Sequence, residues 1–506
     1  MDVFLNGVNR FGDTKLIVSI KKGIYEIANQ LIDMGADVNV ANRDKRTPLM
    51  YACAKGMSEV ASKLIDKEAD VNKVDKNGVT ALMYVCWSGL SEIVDKLIDK
   101  GADINKAVNK NGKTALMLAC EYSRTEIASK LIDKGADINK VDKDGGTALM
   151  WACWSGLSEI VDKLIDKGVD INKTVEKDGK TALMLASEND RKEIVSKLID
   201  RGADINMVDS YGRTALWLAC NKGNKEIVNK LIDKGADVDK EDKEGVTALI
   251  CACSVDMPEV ANKLIDIGAD VNVVDESGFT ALMLACVRGM SEVASRLIDK
   301  GANVSSVDTS GRTVLWWACW SGTSEIANKL IDNGADINEV VDGKKKTALM
   351  LACTKGMTEV ASKLIDKGVD INRVDENGDT ALSLAIVGGM DEIASKLIDK
   401  GAEIKDKGLK EELLFTAVKN NMENTIVRLI NKEVNIKYIL SRLNESEHNT
   451  FIKAANTYLN EGIKALNLPL DNIEKGMPDR LKEISNLRKF FGEINKNIKQ
   501  DKAIFE

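Results

Sequence analysis

The sequence is poor in histidine, the residue that many catalytic and metal sites use. Its 506 residues include a single histidine, His448, near the C-terminal end. A nearby histidine commonly activates a serine or cysteine nucleophile, and zinc sites often contain one. The absence of histidine from the main body of the chain therefore excludes a histidine-activated nucleophile and a histidine-containing zinc site there. We expect a protein that is not an enzyme and that binds no metal.

The chain also has few prolines and few aromatic residues, and it has no long apolar run and no excess of basic residues. Four prolines exclude a proline-rich linker, and aromatic residues make up only 4% of the chain. The longest apolar stretches, such as residues 248–253, are too short to span a bilayer. The net charge of -8 disfavours nucleic acid and anionic membranes, since both attract a positive surface. No phosphate-binding glycine motif is present, so we expect no cofactor.

The first ten residues lack the basic start and the apolar run of a signal peptide. Ten cysteines in such a chain are typical of reduced thiols in a cytosol. We therefore expect a cytoplasmic, monomeric protein. A pathogen protein that acts in a host cytosol would fit the same features.

A fixed repeat organises most of the chain. The tripeptide Thr-Ala-Leu, or a close variant, recurs at intervals of 33 or 34 residues, beginning at Thr47, Thr80, Thr114, Thr147, Thr181, Thr214, Thr247, Thr280, Thr313, Thr347 and Thr380. An imperfect copy begins at Thr14, and a degenerate last copy begins near Glu412. A period of this size indicates a stack of about 13 supersecondary units. A repeat is named after the threonine at which it begins.

Each unit reads as two short helices and a turn. In the Thr80 repeat, Thr80 suits a helix N-cap and Gly89 ends the first helix. A second apolar stripe follows, and Gly101 stands where a helix end requires a left-handed residue. Residues 103–112 are rich in turn formers, which predicts a projecting hairpin. Neither helix is long enough to be stable alone, so the units must stack.

The pattern Thr-Ala-Leu-Met-x-Ala-Cys-x-x-Gly, followed by Leu-Ile-Asp-Lys-Gly-Ala-Asp, resembles the ankyrin repeat over residues 14–436. The resemblance implies an all-α solenoid with short β-hairpin loops. Residues 1–13 would form an N-terminal lead and residues 437–506 a small C-terminal helical segment. Glu68 and Glu433 replace the glycine that ends the second helix, so we expect local strain or fraying at both.

A longer period lies above the first. Residues 80–146, 147–213 and 313–379 are similar to one another, as three copies of a 67-residue module. Each module contains Cys-Trp-Ser-Gly in its first unit and one extra residue before its second hairpin. The recurring cysteines fall on the buried stripe, where small residues let helices approach, so we interpret them as core residues.

The positions seven and eight residues after each repeat threonine vary between units, and the helical stripe predicts that they are exposed. We call them the groove positions, because the resemblance implies that they line a concave groove that binds a protein partner. The candidate binding residues are Trp87, Tyr122, Trp154, Arg288 and Trp320. Exposed tryptophans commonly anchor protein interfaces. The alternative is that duplication copied the tryptophans and that they only pack on neighbouring helices.

Two further functions remain open from the sequence. Leu468-Pro469-Leu470 and the helix predicted after it resemble F-box-like tails, which favours an adaptor that recruits a second complex. An enzyme with its active centre in the tail is the other alternative, although residues 437–506 carry one histidine and no catalytic motif.

Overall fold

A computed structural model describes residues 5–338, 343–430 and 439–466. The described chain consists of short helices joined by tight turns, with isolated β-bridges in place of continuous strands. It divides into two compact units, Met1–Leu264 and Ile265–Glu506. The all-α repeat architecture predicted from the sequence is confirmed.

Thirteen helix pairs are present in the described residues. The first helices are Lys15–Lys22, Pro48–Ala54, Ala81–Ser88, Ala115–Glu121, Ala148–Ser155, Ala182–Glu188, Ala215–Asn221, Ala248–Ser254, Ala281–Arg288, Val314–Ser321, Ala348–Thr354, Ala381–Val387 and Lys407–Lys419. The second helices are Tyr25–Asp33, Ser58–Asp66, Val94–Asp99, Thr125–Asp133, Ser158–Asp166, Lys192–Asp200, Lys225–Asp233, Pro258–Asp266, Ser291–Asp299, Ser324–Asp332, Thr358–Asp366, Asp391–Asp399 and Glu423–Ile430. A 3-10 turn, Ser91–Ile93, precedes the third of these second helices.

The repeat threonine begins each of the first twelve first helices by a single mechanism. Thr80 has an extended backbone, and its Oγ1 accepts a hydrogen bond from the Met83 N–H at 3.3 Å. The same cap is present at Thr14 and at every threonine from Thr47 to Thr380 that begins a repeat. The hydroxyl satisfies an amide that has no partner inside the helix, which fixes where the helix starts.

A left-handed residue follows each of the first twelve second helices. Gly101 has φ +83°, and its N–H bonds to the carbonyl of Ile98. Glu68 occupies the equivalent position with φ +62°, which confirms the strain predicted there. The left-handed conformation brings Cβ close to the backbone, which glycine avoids. Glu433, the other predicted site of strain, lies outside the described residues.

Replacing Glu68 with glycine is therefore expected to stabilise the protein by about 1 kcal/mol, because the side chain that clashes in the left-handed region is removed. The matched control is Gly101→Glu, which should destabilise by a similar amount. Urea unfolding of both variants measures the difference. If Glu68→Gly gives no stabilisation while Gly101→Glu still destabilises, the backbone strain at Glu68 is relieved in some other way.

Aspartates organise the turns between repeats. Asp142 Oδ1 accepts hydrogen bonds from the N–H groups of Asp144 and Gly146 at 3.0 and 2.8 Å. The turn closes with an isolated antiparallel bridge between Val141 and Thr147. Where the module has its extra residue, the turn is one residue wider, and the Val108 N–H bonds to the carbonyl of Lys113. The predicted hairpins are thus present as turns, six of which close with a single bridge in the described residues.

Stacking of like helices forms the core. Within each of the two compact units, the first helix of one repeat packs on the first helix of the next, and the second helix packs on the next second helix. Ion pairs also join successive second helices, as between Lys63 and Asp33 at 2.6 Å and between Lys163 and Asp133 at 2.6 Å. Because these pairs are partly exposed, each contributes little stability, and the buried apolar faces carry most of it.

The described beginning of the C-terminal segment closes the stack. Helix Glu445–Leu466 packs on the helix Glu423–Ile430 and also contacts Lys407–Lys419. Phe451, on its packed face, is buried. The Leu468-Pro469-Leu470 motif and the helical stripe predicted after it lie outside the described residues, so the adaptor hypothesis is untested.

Candidate interaction surface

The ten cysteines are all buried and none forms a disulfide. Burial in apolar surroundings raises the pKa of the Cys53 thiol to about 12, because the thiolate cannot be solvated there. Within the described ranges, no three His, Cys, Asp or Glu residues come together as a group that could hold a metal ion. The interpretation of the cysteines as core residues is confirmed.

The groove positions lie at the C-terminal ends of the first helices. Not one of these positions, from the Thr14 repeat to the Thr380 repeat, is buried; all are half-buried or exposed. The helical stripe explains this pattern, because another face of each of these helices holds a buried leucine and, in nine of them, a buried cysteine. Within each compact unit, the first helices therefore present variable side chains at these positions.

Three candidate residues lie in the first compact unit. Tyr122 and Trp154 keep 47% and 44% of their surface exposed. Trp87 is half-buried, with its ring centroid 5.1 Å from that of Tyr84 and 6.4 Å from that of Tyr122. The predicted exposure of Trp87 is therefore wrong, because Tyr84 and Tyr122 cover part of its ring. The indole of Trp154 instead meets Trp151, at 6.1 Å between centroids.

The aromatic residues around these three positions form two clusters. One contains Tyr84, Trp87 and Tyr122, and the other contains Trp151 and Trp154. No ring contact joins Tyr122 to Trp154 among the described residues. A partner that engaged both clusters would have to bridge them.

The other two candidates lie in the second compact unit. Trp320 is 44% exposed, stacks on Trp316 at 6.5 Å and meets Trp317 edge-on at 5.6 Å. Lys355 Nζ lies 5.8 Å from the Trp320 ring centroid. Arg288 is exposed at the end of its first helix. In the described part of the chain, Arg288 takes no part in the ring contacts of Trp320.

The comparison with protein families agrees with this geometry. A family model described as ankyrin repeats in three copies matches most of the chain, at residues 16–108, 105–175, 142–209, 183–275, 249–341 and 338–408. The chain belongs to the ankyrin repeat family. Ankyrin repeats generally mediate protein–protein interaction. No curated protein matches the chain. None of the helices in the described ranges combines the length and the apolar character needed to cross a membrane.

Two arginines of this ankyrin repeat protein hold the tryptophan-bearing helix ends. The guanidinium of Arg124 donates to the carbonyl of Trp87 at 2.7 Å, and that of Arg191 donates to the carbonyl of Trp154. A Cβ at Gly89 would come within 3.1 Å of the Arg124 guanidinium, so glycine leaves room for it. Sequence reasoning missed both arginines. The two arginines stand at the same repeat position, ten residues after Thr114 and Thr181, and this recurrence was the sequence signal that could have identified them.

Buried carboxylates hold the packed aromatic residues of the ankyrin stack. Tyr84 donates to Asp75 at 2.9 Å, and the indole of Trp151 donates to Asp142 at 3.0 Å. Burial and the adjacent Asp75 carboxylate raise the pKa of Tyr84, because both disfavour the phenolate. These bonds fix the rings against which Trp87 and Trp154 rest. The sequence analysis did not foresee them.

Proposed function

We propose that this ankyrin repeat protein is a non-catalytic scaffold that binds another protein through the groove positions. The observation that supports the proposal most is the exposure of Tyr122 and Trp154 at the C-terminal ends of first helices, each in contact with a further aromatic ring. Exposed apolar patches, unlike single exposed residues, commonly mark an interaction site. The chemistry of the surface favours a protein over nucleic acid, because the chain is acidic.

The geometry also supplies what an interface anchor needs. Hot-spot residues are usually aromatic, and their rings are held in place before the partner arrives. Trp151 holds the ring of Trp154 on one side, and Arg191 binds its carbonyl, so little conformational freedom remains to be lost on binding. Trp320, which stacks on Trp316, is proposed as a second anchor. Arg288, in the same compact unit, is proposed as a polar contact with the partner.

Replacing Trp154 or Tyr122 with alanine should therefore weaken partner binding by about 2 kcal/mol, roughly thirtyfold. Because both residues are exposed, each change should leave the free energy of unfolding within about 0.5 kcal/mol of the wild type. Trp87→Ala should lower both binding and stability, since Trp87 is half-buried. The partner is first identified by affinity purification, and its affinity is then measured by calorimetry against each purified variant.

The matched control is Tyr25→Ala, because Tyr25 is 48% exposed but lies on a second helix. Its affinity should equal that of the wild type. If binding persists in Trp154→Ala and Tyr122→Ala while stability falls, the aromatic residues serve packing alone and the proposal is wrong.

A further inference from the structure

The three copies of the module place different groups against the groove tryptophan. In the first module, Tyr122 covers Trp87 from the next repeat. In the third, the equivalent residue is Lys355, whose ammonium lies 5.8 Å from the Trp320 ring centroid. In the second module the equivalent residue is Asn189, whose amide bonds to the carbonyl of Leu185 in its own helix at 2.8 Å. The third module thus places a lysine ammonium against its groove tryptophan, whereas the equivalent residue of the second module, Asn189, is uncharged.

A recess of about 260 Å³ lies beside Trp154. Trp151, Trp154 and Leu185 form its apolar wall, and Asp144 and Asp178 lie among its polar lining residues. Asp142 also lines it, but its two oxygens already accept from backbone amides and from the Trp151 indole. The Trp151 ring already has the ammonium of Lys113 at 3.4 Å from its centroid. The recess therefore combines the indole of Trp154, against which no cation lies in the described residues, with two further carboxylates.

The other two modules lack carboxylates at the equivalent positions. Asp144 and Asp178 stand three residues before Thr147 and Thr181, the two repeat threonines of the second module. The residues three before the corresponding threonines are Asn77 and Asn111 for the first module, and Ser310 and Lys344 for the third. Asp144 is exposed. The nearest recorded ammonium to Asp178, that of Lys180, is 4.0 Å away and lies closer to Glu188, at 2.7 Å. Among the lining residues of the recess, all of them described, Lys177 is the one base.

We propose that this recess binds a lysine or arginine side chain of the partner protein. The inference rests on the proposed function and names the partner chemistry at one part of the same surface. A cation is attracted to the face of an indole within about 6 Å, and nearby carboxylates add to the attraction. The aliphatic part of the same side chain packs on Leu185 and Trp151, as long basic side chains commonly do.

The test uses the full chain labelled with 5-fluorotryptophan and a tripeptide, N-acetyl-Gly-Arg-Gly-amide. The seven tryptophans give separate fluorine resonances, and Trp154→Phe identifies that of Trp154. The arginine peptide should shift this resonance saturably, whereas the neutral citrulline peptide of the same shape should not. Asp144→Asn with Asp178→Asn should weaken the affinity about fivefold, because exposed charge pairs are individually weak.

Asn189→Lys places a lysine of the chain itself at the position that Lys355 occupies in the third module. This variant should abolish the shift of the Trp154 resonance by the arginine peptide. The charge-matched control is Asp133→Asn with Asp166→Asn, which removes two carboxylates from second helices and should leave the response unchanged. Equal shifts with citrulline, or no effect of the recess variants, would overturn the inference. That result leaves the proposed function standing if Trp154→Ala still weakens partner binding, so the two failures are distinguishable.

Discussion

Replacing Leu249 with aspartate is expected to lower the free energy of unfolding by at least about 4 kcal/mol, because a carboxylate would be buried without a partner. Leu249 is 1% exposed on the helix Ala248–Ser254, which packs on the helix Ala215–Asn221. Neither helix is stable without its neighbour, so the loss should spread to the adjoining repeat. Urea unfolding followed by circular dichroism should show an earlier and broader transition.

The control for this variant is Val387→Asp, since Val387 is also on a first helix but is 66% exposed. Its transition should stay within about 0.5 kcal/mol of the wild type. An unchanged transition in Leu249→Asp would contradict the idea that each repeat depends on the buried stripe of its neighbours.

Asp308→Ala is expected to have the second largest effect, a loss of about 3 kcal/mol, because it removes one partner of a buried ion pair. The Asp308 side chain is fully buried and lies 2.7 Å from Arg312 Nε. It also accepts hydrogen bonds from the Trp317 indole at 3.1 Å and from two backbone amides. The estimate is at the lower end of the range because the Arg312 side chain stays 26% exposed.

Asp242→Ala is the matched control, because Asp242 occupies the same place in its own turn. Its side chain accepts from the N–H groups of Glu244 and Val246, and no ion pair or indole bond to it is recorded in the described chain. It should cost about 1 kcal/mol, the value of a typical hydrogen-bonded turn. Differential scanning calorimetry of the two variants measures the difference, and equal losses would show that Arg312 and Trp317 add nothing.

Features that depend on a residue's place within its own repeat could be predicted from the sequence. The threonine cap, the left-handed Glu68 and the absence of burial at the groove positions are of this kind. Each follows from helix geometry and backbone sterics over a few residues, so a single repeat contains the information. Thirteen copies then confirm one another.

Features that depend on two repeats at once could not be predicted. Trp87 was expected to be exposed, yet Tyr122 of the next repeat covers part of it. Whether an aromatic ring rests on its neighbour depends on rotamers and on the residue that the next repeat supplies. Arg124 likewise acts on the preceding repeat, through the carbonyl of Trp87. The sequence places these residues 35 and 37 positions from their contacts, so no local pattern connects them.

Hydroxyl-radical footprinting tests the central claim, that the groove positions bind the partner. Tyr122 and Tyr25 are matched probes, since they are 47% and 48% exposed but lie on a first and a second helix. With the purified partner bound, oxidation of Tyr122 and Trp154 should fall while that of Tyr25 is unchanged. Protection of Tyr25 with full oxidation of Tyr122 and Trp154 would contradict the account.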